Sequence, residues 1–414
     1  MDRTKLKKIV LNTVNSMSVV DIHTHLFDPS FDGLLLWGID ELLTYHYLVA
    51  ELFRACPNIS YREFWKMSKT QQADLIWQEL FIKRSPISEA CRGVITVLNE
   101  LGLSPKVKSL DKFRNFFKDF NVYEYTDLVF KIAKVEKVYM TNDPLNLLEK
   151  KAWLKSDLKR DSRFLAVLRI DSAIVDWPKG VELLKASGYD VESSLSGLTI
   201  EAIKKYLRDW IAKMDAKYMA VSLPPTFRYP NVESCTTNLF TKAVLPVAKE
   251  IGIPVALMIG VKKLVNPELL LAGDSVGKGD IDSIEKLCCD FPDVNFMVTM
   301  LSRENMHELC VAARKFKNLL PFGCWWFLNT PSLIEEISKM RLELLGFSFV
   351  PQHSDSRVLD QLIYKWKHSR EIIGNILLHK YVGLVNSGWK LSENEIKRDI
   401  SILFSGKQID FARD

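Results

Sequence analysis

The chain has 414 residues, long for one compact core but ordinary for an α/β barrel that carries an insertion. Hydrophobic residues make up 47% and charged residues 26%, the balance of a folded globular protein. A net charge of +5, from 56 basic and 51 acidic residues, is too small an excess to imply a nucleic-acid partner, and no window approaches the roughly 18 uninterrupted apolar residues of a membrane span.

From the amino terminus, the first 17 residues are basic but hold no long apolar run and no small-residue cleavage site, so they do not read as a secretory signal. Short apolar, β-branched runs then recur, separated by segments of helical periodicity. They are Val19–His23, Lys137–Thr141, Phe164–Ile170, Tyr218–Leu223, Pro254–Ile259, Asn295–Leu301, Asn318–Gly323 and Phe347–Pro351. Their near-continuous apolar character suits parallel strands buried on both faces. The clearest helical segments are Thr236–Lys249, Ser302–Lys317, Ser332–Leu345 and Asp360–Lys380. Eight strands alternating with helices predict a closed (β/α)₈ TIM barrel.

The first two strands lie about a hundred residues apart, where a βα unit needs a few tens. That stretch has periodic apolar positions over Glu41–Arg54, Gln71–Phe81 and Ile87–Leu101. It reads as an inserted helical subdomain, residues 27–134, with the barrel made of residues 1–26 and 135–414. A smaller helical insertion is expected around Val181–Met214. The seven cysteines are odd in number and none has C-x-x-C spacing, which points to reduced thiols and a cytoplasmic location.

Catalytic groups of such barrels sit at the C-terminal ends of the strands. The first strand ends in Asp21-Ile22-His23-Thr24-His25. Side chains at i and i+2 of an extended segment face the same side, so His23 and His25 can reach one ion. The last strand ends in Pro351-Gln352-His353-Ser354-Asp355-Ser356-Arg357. Barrel closure puts Asp355 beside the first strand, where it can ligate a metal or take a proton; its rival reading is a helix N-cap. Arg357 could hold a developing oxyanion or a substrate carboxylate.

With these stand Thr44-Tyr45-His46-Tyr47, Thr141-Asn142-Asp143-Pro144, Ser302-Arg303-Glu304-Asn305 and Gly323-Cys324-Trp325-Trp326-Phe327. In this order they resemble the uronate (glucuronate) isomerase family of the amidohydrolase superfamily, from about Val19 to Asn375. The resemblance implies aldose–ketose isomerisation of a hexuronate through an enediol: D-glucuronate to D-fructuronate and D-galacturonate to D-tagaturonate. It implies His23, His25 and Asp355 as metal ligands. It also implies His46, Tyr47, Asp355 and Arg357 as catalytic groups, with Asp355 the base and Tyr47 the proton carrier. Arg169 would clamp the carboxylate, Arg303 occupies a matching substrate position, and Trp325 or Trp326 would wall the sugar pocket. Each has a bland rival: an ion pair with Asp171 for Arg169, a surface helix for Arg303, core packing for Tyr47 and rim packing for the tryptophans.

The sequence departs from the pattern in one respect. Met258 stands where many uronate isomerases have a histidine, and the fourth strand offers no lysine or acid. One metal with three protein ligands is therefore expected, and Zn²⁺ suits two imidazoles and a carboxylate best, with Mn²⁺, Fe²⁺ and Co²⁺ also compatible. The competing readings are an amidohydrolase or lactonase of the same superfamily, and a non-catalytic sugar-acid-binding barrel. A homo-oligomer is compatible with the sequence but not required by it.

Overall fold

The computed structural model describes residues 2–31, 33–106, 108–155 and 159–411. Seven parallel strands form one curled sheet: β1 (Val19–Thr24), β2 (Val135–Asn142), β3 (Phe164–Arg169), β4 (Met219–Leu223), β5 (Val255–Ile259), β8 (Phe296–Met300) and β9 (Leu319–Pro321). Neighbours in space are neighbours in sequence, apart from a small antiparallel hairpin of β6 (Val261–Lys262) and β7 (Ser275–Val276) on the loop after β5. This hairpin was not expected from sequence; two strands of two residues each are too short to leave a periodic signal.

Strand parity explains the continuous apolar runs. Ile22, Tyr139, Val167, Ala220, Ala256, Met258 and Met297 point into the barrel and form an inner core. Their neighbours Val19, Val138, Met140, Leu168, Val221, Leu257 and Val298 pack outward against the helices in a second, larger core. Both faces are dry, so neither needs polar residues.

The expected eighth strand, Phe347–Pro351, is reduced to a single bridge between Phe322 and Val350. Val350 donates to the Pro321 carbonyl and accepts from Gly323 N–H; Pro351 then has no N–H to continue the ladder. The seam is closed further up by Asp355 N–H donating to the His23 carbonyl (3.2 Å) and His25 N–H to the Ser356 carbonyl (2.8 Å). The barrel is thus sealed through the residues that carry the proposed chemistry.

Between β1 and β2 lie seven helices among the described residues, from Ile39–Leu43 to Val122–Ala133. Glu89–Glu100 and Val122–Ala133 pack on the long helix Gln361–Asn386, and the apolar residues of this segment are continuous with the outer core. Tyr125 donates to Asp360 (2.6 Å), which also accepts from Gly38 N–H, tying the segment to the foot of that helix. The expected second insertion contains Trp177–Ala186 and Gly197–Met214. The helix expected over Ser302–Lys317 is shorter, a single tight turn followed by Met306–Ala313.

A buried carboxylate holds the seam. Asp21 accepts from Ser354 N–H (3.1 Å) and from the Trp366 indole (2.8 Å), joining β1, the final loop and the long helix. Burial pushes its carboxyl up to about 6 against the pull of these donors. Trp366→Phe removes one donor from this buried group and should cost about 2 kcal/mol in unfolding free energy, measured by urea denaturation. An unchanged midpoint would mean that the indole contributes nothing to closure.

Candidate active site

His23 and His25 leave the end of β1 on the same side, as the parity argument predicts. Their Nε2 atoms lie 3.6 and 3.3 Å from Asp355 Oδ1. Among the described residues these three form the group of His, Cys, Asp and Glu side chains placed to hold a metal, with ligand atoms within 4.8 Å of one another.

The tautomers follow from the partners behind each ring. Thr141 Oγ1 spends its proton on the Thr24 carbonyl (2.9 Å), so its contact with His25 Nδ1 (3.0 Å) requires the imidazole to donate. Tyr218 likewise donates to the Ile22 carbonyl (2.6 Å) and faces His23 Nδ1 at 3.5 Å as an acceptor. Both histidines therefore present unprotonated Nε2 atoms to a carboxylate oxygen. Burial, then the charge of Arg357, lowers the pKa of His25 to about 3 despite Asp355, so the ring is neutral. His23 Nε2 and Asp355 Oδ1 are buried without a hydrogen-bond partner. Three lone pairs converging in a buried site repel one another unless a cation lies between them. Ligand atoms of a tetrahedral site with bonds of about 2.1 Å lie about 3.4 Å apart, close to the separations found. The residues fit a divalent ion.

Asp355 has φ of +54°, a strained conformation for a residue with a side chain, of the kind that concentrates at functional sites. Gly323, at φ +61°, is needed because a Cβ there would fall 1.9 Å from the His353 ring. His353 is wholly buried beside His23, its ring centroid 5.0 Å away, with both ring nitrogens unpartnered.

A cavity opens above the cluster. Eight of the sequence-selected residues line it: His23, His25, His46, Arg169, Trp325, Trp326, Asp355 and Arg357. The Arg357 guanidinium makes no ion pair among the described residues. Arg169 lines the cavity and pairs with Asp171 at 3.0 Å, the ion pair given above as its rival reading. Behind that pair Asp143 and Glu149, from the Thr141-Asn142-Asp143-Pro144 stretch and the helix after it, form a half-buried acidic cluster. Ser172 donates to Asp143, and Asp143 N–H to Glu149 (2.7 Å). The charge of Asp171 above all holds the Arg169 pKa above its usual value.

His46 begins a helix, His46–Ala55, and both its ring nitrogens are buried without partners. Burial, then Arg357, lowers its pKa to about 3, leaving a neutral ring. Its ring contacts those of Tyr45, Tyr47 and Trp326, at centroid distances of 4.1, 4.5 and 5.6 Å.

Two selected residues fall elsewhere. Tyr47 does not line this cavity; it stands behind His46 and faces a neighbouring one, and Tyr45 occupies the wall instead. The helix starting at His46 sends consecutive side chains about 100° apart, so an aromatic run alone cannot say which ring points inward. Arg303 is more than half exposed and pairs with Glu336 at 3.0 Å, away from the cavity. Sequence reasoning named Asp171 only as a partner for Arg169, and it missed Ser222 and Lys263, which also line the cavity, and Thr141 and Tyr218 as partners of the histidines. Parity was available for Asp171 and Ser222, at the ends of β3 and β4, but Lys263 rides on the unforeseen hairpin. Met258, 2% exposed, also lines the cavity.

Fold and site together define a TIM-type α/β barrel with a His-His-Asp cluster that could bind a metal at the mouth of its first strand. The structure superposes on a uronate isomerase from Bacillus halodurans with a TM-score of 0.97 and 51% identity, covering 99% of this chain and 97% of that one. The chain belongs to the uronate isomerase family. It shares the fold of a uronate isomerase from Thermotoga maritima (17% identity, 98% and 96% covered, TM-score 0.78) and of a glucuronate isomerase from Caulobacter crescentus (15%, 100% and 95%, TM-score 0.79). No family model and no curated protein sequence matches the chain.

Thr141→Val keeps all three ligands but deprives His25 Nδ1 of its acceptor. It should weaken divalent-ion affinity about 10–100-fold, as read by competition with a chromogenic chelator. Unaltered affinity would show that the threonine does not orient the ring.

Proposed function

We propose that the chain is a metal-dependent uronate isomerase, interconverting D-glucuronate with D-fructuronate and D-galacturonate with D-tagaturonate. The observation that carries this reading is the unpaired Arg357 guanidinium beside the His23–His25–Asp355 cluster in a buried, aromatic-walled cavity. A uronate brings a carboxylate and, in its enediol, a developing oxyanion. Both call for fixed positive charge in a water-poor site. Zn²⁺ is the ion that best suits two neutral imidazoles and a carboxylate, and when bound it would polarise the substrate's carbonyl oxygen.

The residues of the chain do the rest. Asp355 is the base for the proton on the carbon beside the aldehyde; its strained backbone aims the carboxylate at that point. Arg357 holds the oxyanion. Arg169, with its charge half-answered by Asp171, binds the uronate carboxylate. His46 and Tyr45 offer groups within the cavity that can pass a proton between neighbouring oxygens. Trp325 and Trp326 exclude water and cover the apolar face of the sugar. The absence of a histidine at Met258 leaves no strand-five base for a hydrolytic water, which disfavours the amidohydrolase reading. A cytoplasmic location is consistent with seven free cysteines. No helix among the described residues is long and apolar enough to cross a membrane.

An NMR time course in D₂O, with Zn²⁺ and each sugar in turn, should show ketose signals, with deuterium at the carbon beside the aldehyde wherever the proton exchanges. Metal-loaded protein that converts neither sugar would refute the substrate assignment. Arg357→Met should lower kcat about 10²–10³-fold with the metal content unchanged; near-native turnover would remove the arginine from the chemistry. Tyr45→Phe should cost about 10²-fold in kcat, and Tyr47→Phe about tenfold or less. The reverse order would put the proton carrier at Tyr47, where the family's His-Tyr pair implies it.

A further inference from the structure

A second cavity, of about 210 Å³, lies behind the His46–Tyr47 corner. Trp326 lines both cavities and forms the partition between them. The new cavity contains Lys365, from the first turns of the helix Gln361–Asn386. Lys365 is only 5% exposed, and among the described residues its ammonium has no hydrogen bond and no ion pair. It rests against the faces of Tyr47 and Tyr364, at 5.6 and 5.4 Å from the ring centroids. Cation–π contacts of this length return only part of what burying an ammonium costs. Burial accordingly lowers the Lys365 pKa to about 8, against the opposing charges of Asp355 and Glu89.

The other charged groups of the lining are already engaged. Glu51 accepts from the Ser88 hydroxyl (2.6 Å), and Glu89 is bonded to His368 Nδ1 (2.6 Å). The Asn329 amide is used on the His353 and Ser354 carbonyls and on Gln352. Lys365 is therefore the group left in need of a partner, and that partner is an anion. Trp326, Phe327 and Tyr364 supply flat apolar walls. Two carboxylates in the same lining oppose a second negative charge, which selects against a phosphate dianion.

We propose that the cavity around Lys365 is a second ligand site, separate from the metal-ligand cavity, that takes a small monocarboxylate with a flat apolar body. The carboxylate meets the Lys365 ammonium and the body lies between the aromatic walls. Because Trp326 is shared, an occupant there presses on the wall of the sugar cavity.

The test is ¹⁹F NMR titration of the full, metal-loaded chain with 4-fluorobenzoate. Saturable binding should persist in Arg357→Met and weaken at least about tenfold in Lys365→Met, a loss of about 1.4 kcal/mol. Ala90→Phe fills the cavity without touching the lysine and should block binding too, which keeps the test valid if Lys365→Met does not fold. Inorganic phosphate should not displace the probe. Binding that is lost in Arg357→Met and retained in Lys365→Met would place the probe in the sugar cavity and overturn the proposal. So would the absence of saturable binding to the wild-type chain, or displacement by phosphate.

Discussion

The seam between the first strand and the final loop is the constraint on which the rest depends. Seven strands make an open sheet, and the chain closes it with backbone hydrogen bonds from Val350, Asp355 and His25 in place of a full eighth ladder. Asp21 fixes that closure from below by taking donors from Ser354 and Trp366. Two residues further along each segment stand His23 and Ser356, and beside them His25 and Asp355. The ligand geometry is thus a by-product of sealing the barrel: a loop long enough to relax the φ of +54° at Asp355 would also loosen the seam.

The same closure sets the electrostatics. Thr141 and Tyr218 turn two lone pairs toward a carboxylate, and burial, helped by the charge of Arg357, keeps the His25 imidazole neutral. Without an ion the cluster is an uncompensated set of acceptors in a low-dielectric pocket. With one, the acceptors are what holds it. Arg169 and Asp171 work differently, as a pair supported from behind by Asp143 and Glu149. That support leaves Arg169 oriented and Arg357 free, so the two guanidinium groups of the cavity are not equivalent. A ligand with one carboxylate and one developing oxyanion matches this inequality better than a ligand with two like anionic groups.

How much of this could be read from sequence depended on periodicity. The barrel was legible because both strand faces are apolar, and His23, His25 and Asp355 were legible because period-two parity and barrel closure place strand ends without further information. Tyr47 and Arg303 were not, because each begins or sits in a short helical turn whose rotation is set by tertiary packing. A residue's step of about 100° decides whether Tyr45 or Tyr47 looks into the cavity. The hairpin bearing Lys263 was invisible at two residues per strand, and Lys365 is a lysine on a helix, a position that ordinarily means solvent. Tertiary packing buries it, against the faces of Tyr47 and Tyr364.

Met258 bears on the choice between isomerisation and hydrolysis in this chain. Hydrolysis needs a water activated and delivered to a carbonyl carbon, and a strand-five imidazole is one way to do both. A thioether can do neither: it accepts hydrogen bonds weakly and does not titrate. Lining the cavity and 2% exposed, Met258 lowers the local polarity and adds no ligand to the His23–His25–Asp355 cluster, where a divalent ion would have three protein ligands. The proposed enediol route asks for a carboxylate base, here Asp355, and few waters beside the carbon it deprotonates, while a bound ion would supply positive charge for the developing oxyanion. Met258 therefore counts against hydrolysis in this chain; the isomerase reading rests on the charged groups of the cavity and not on the thioether.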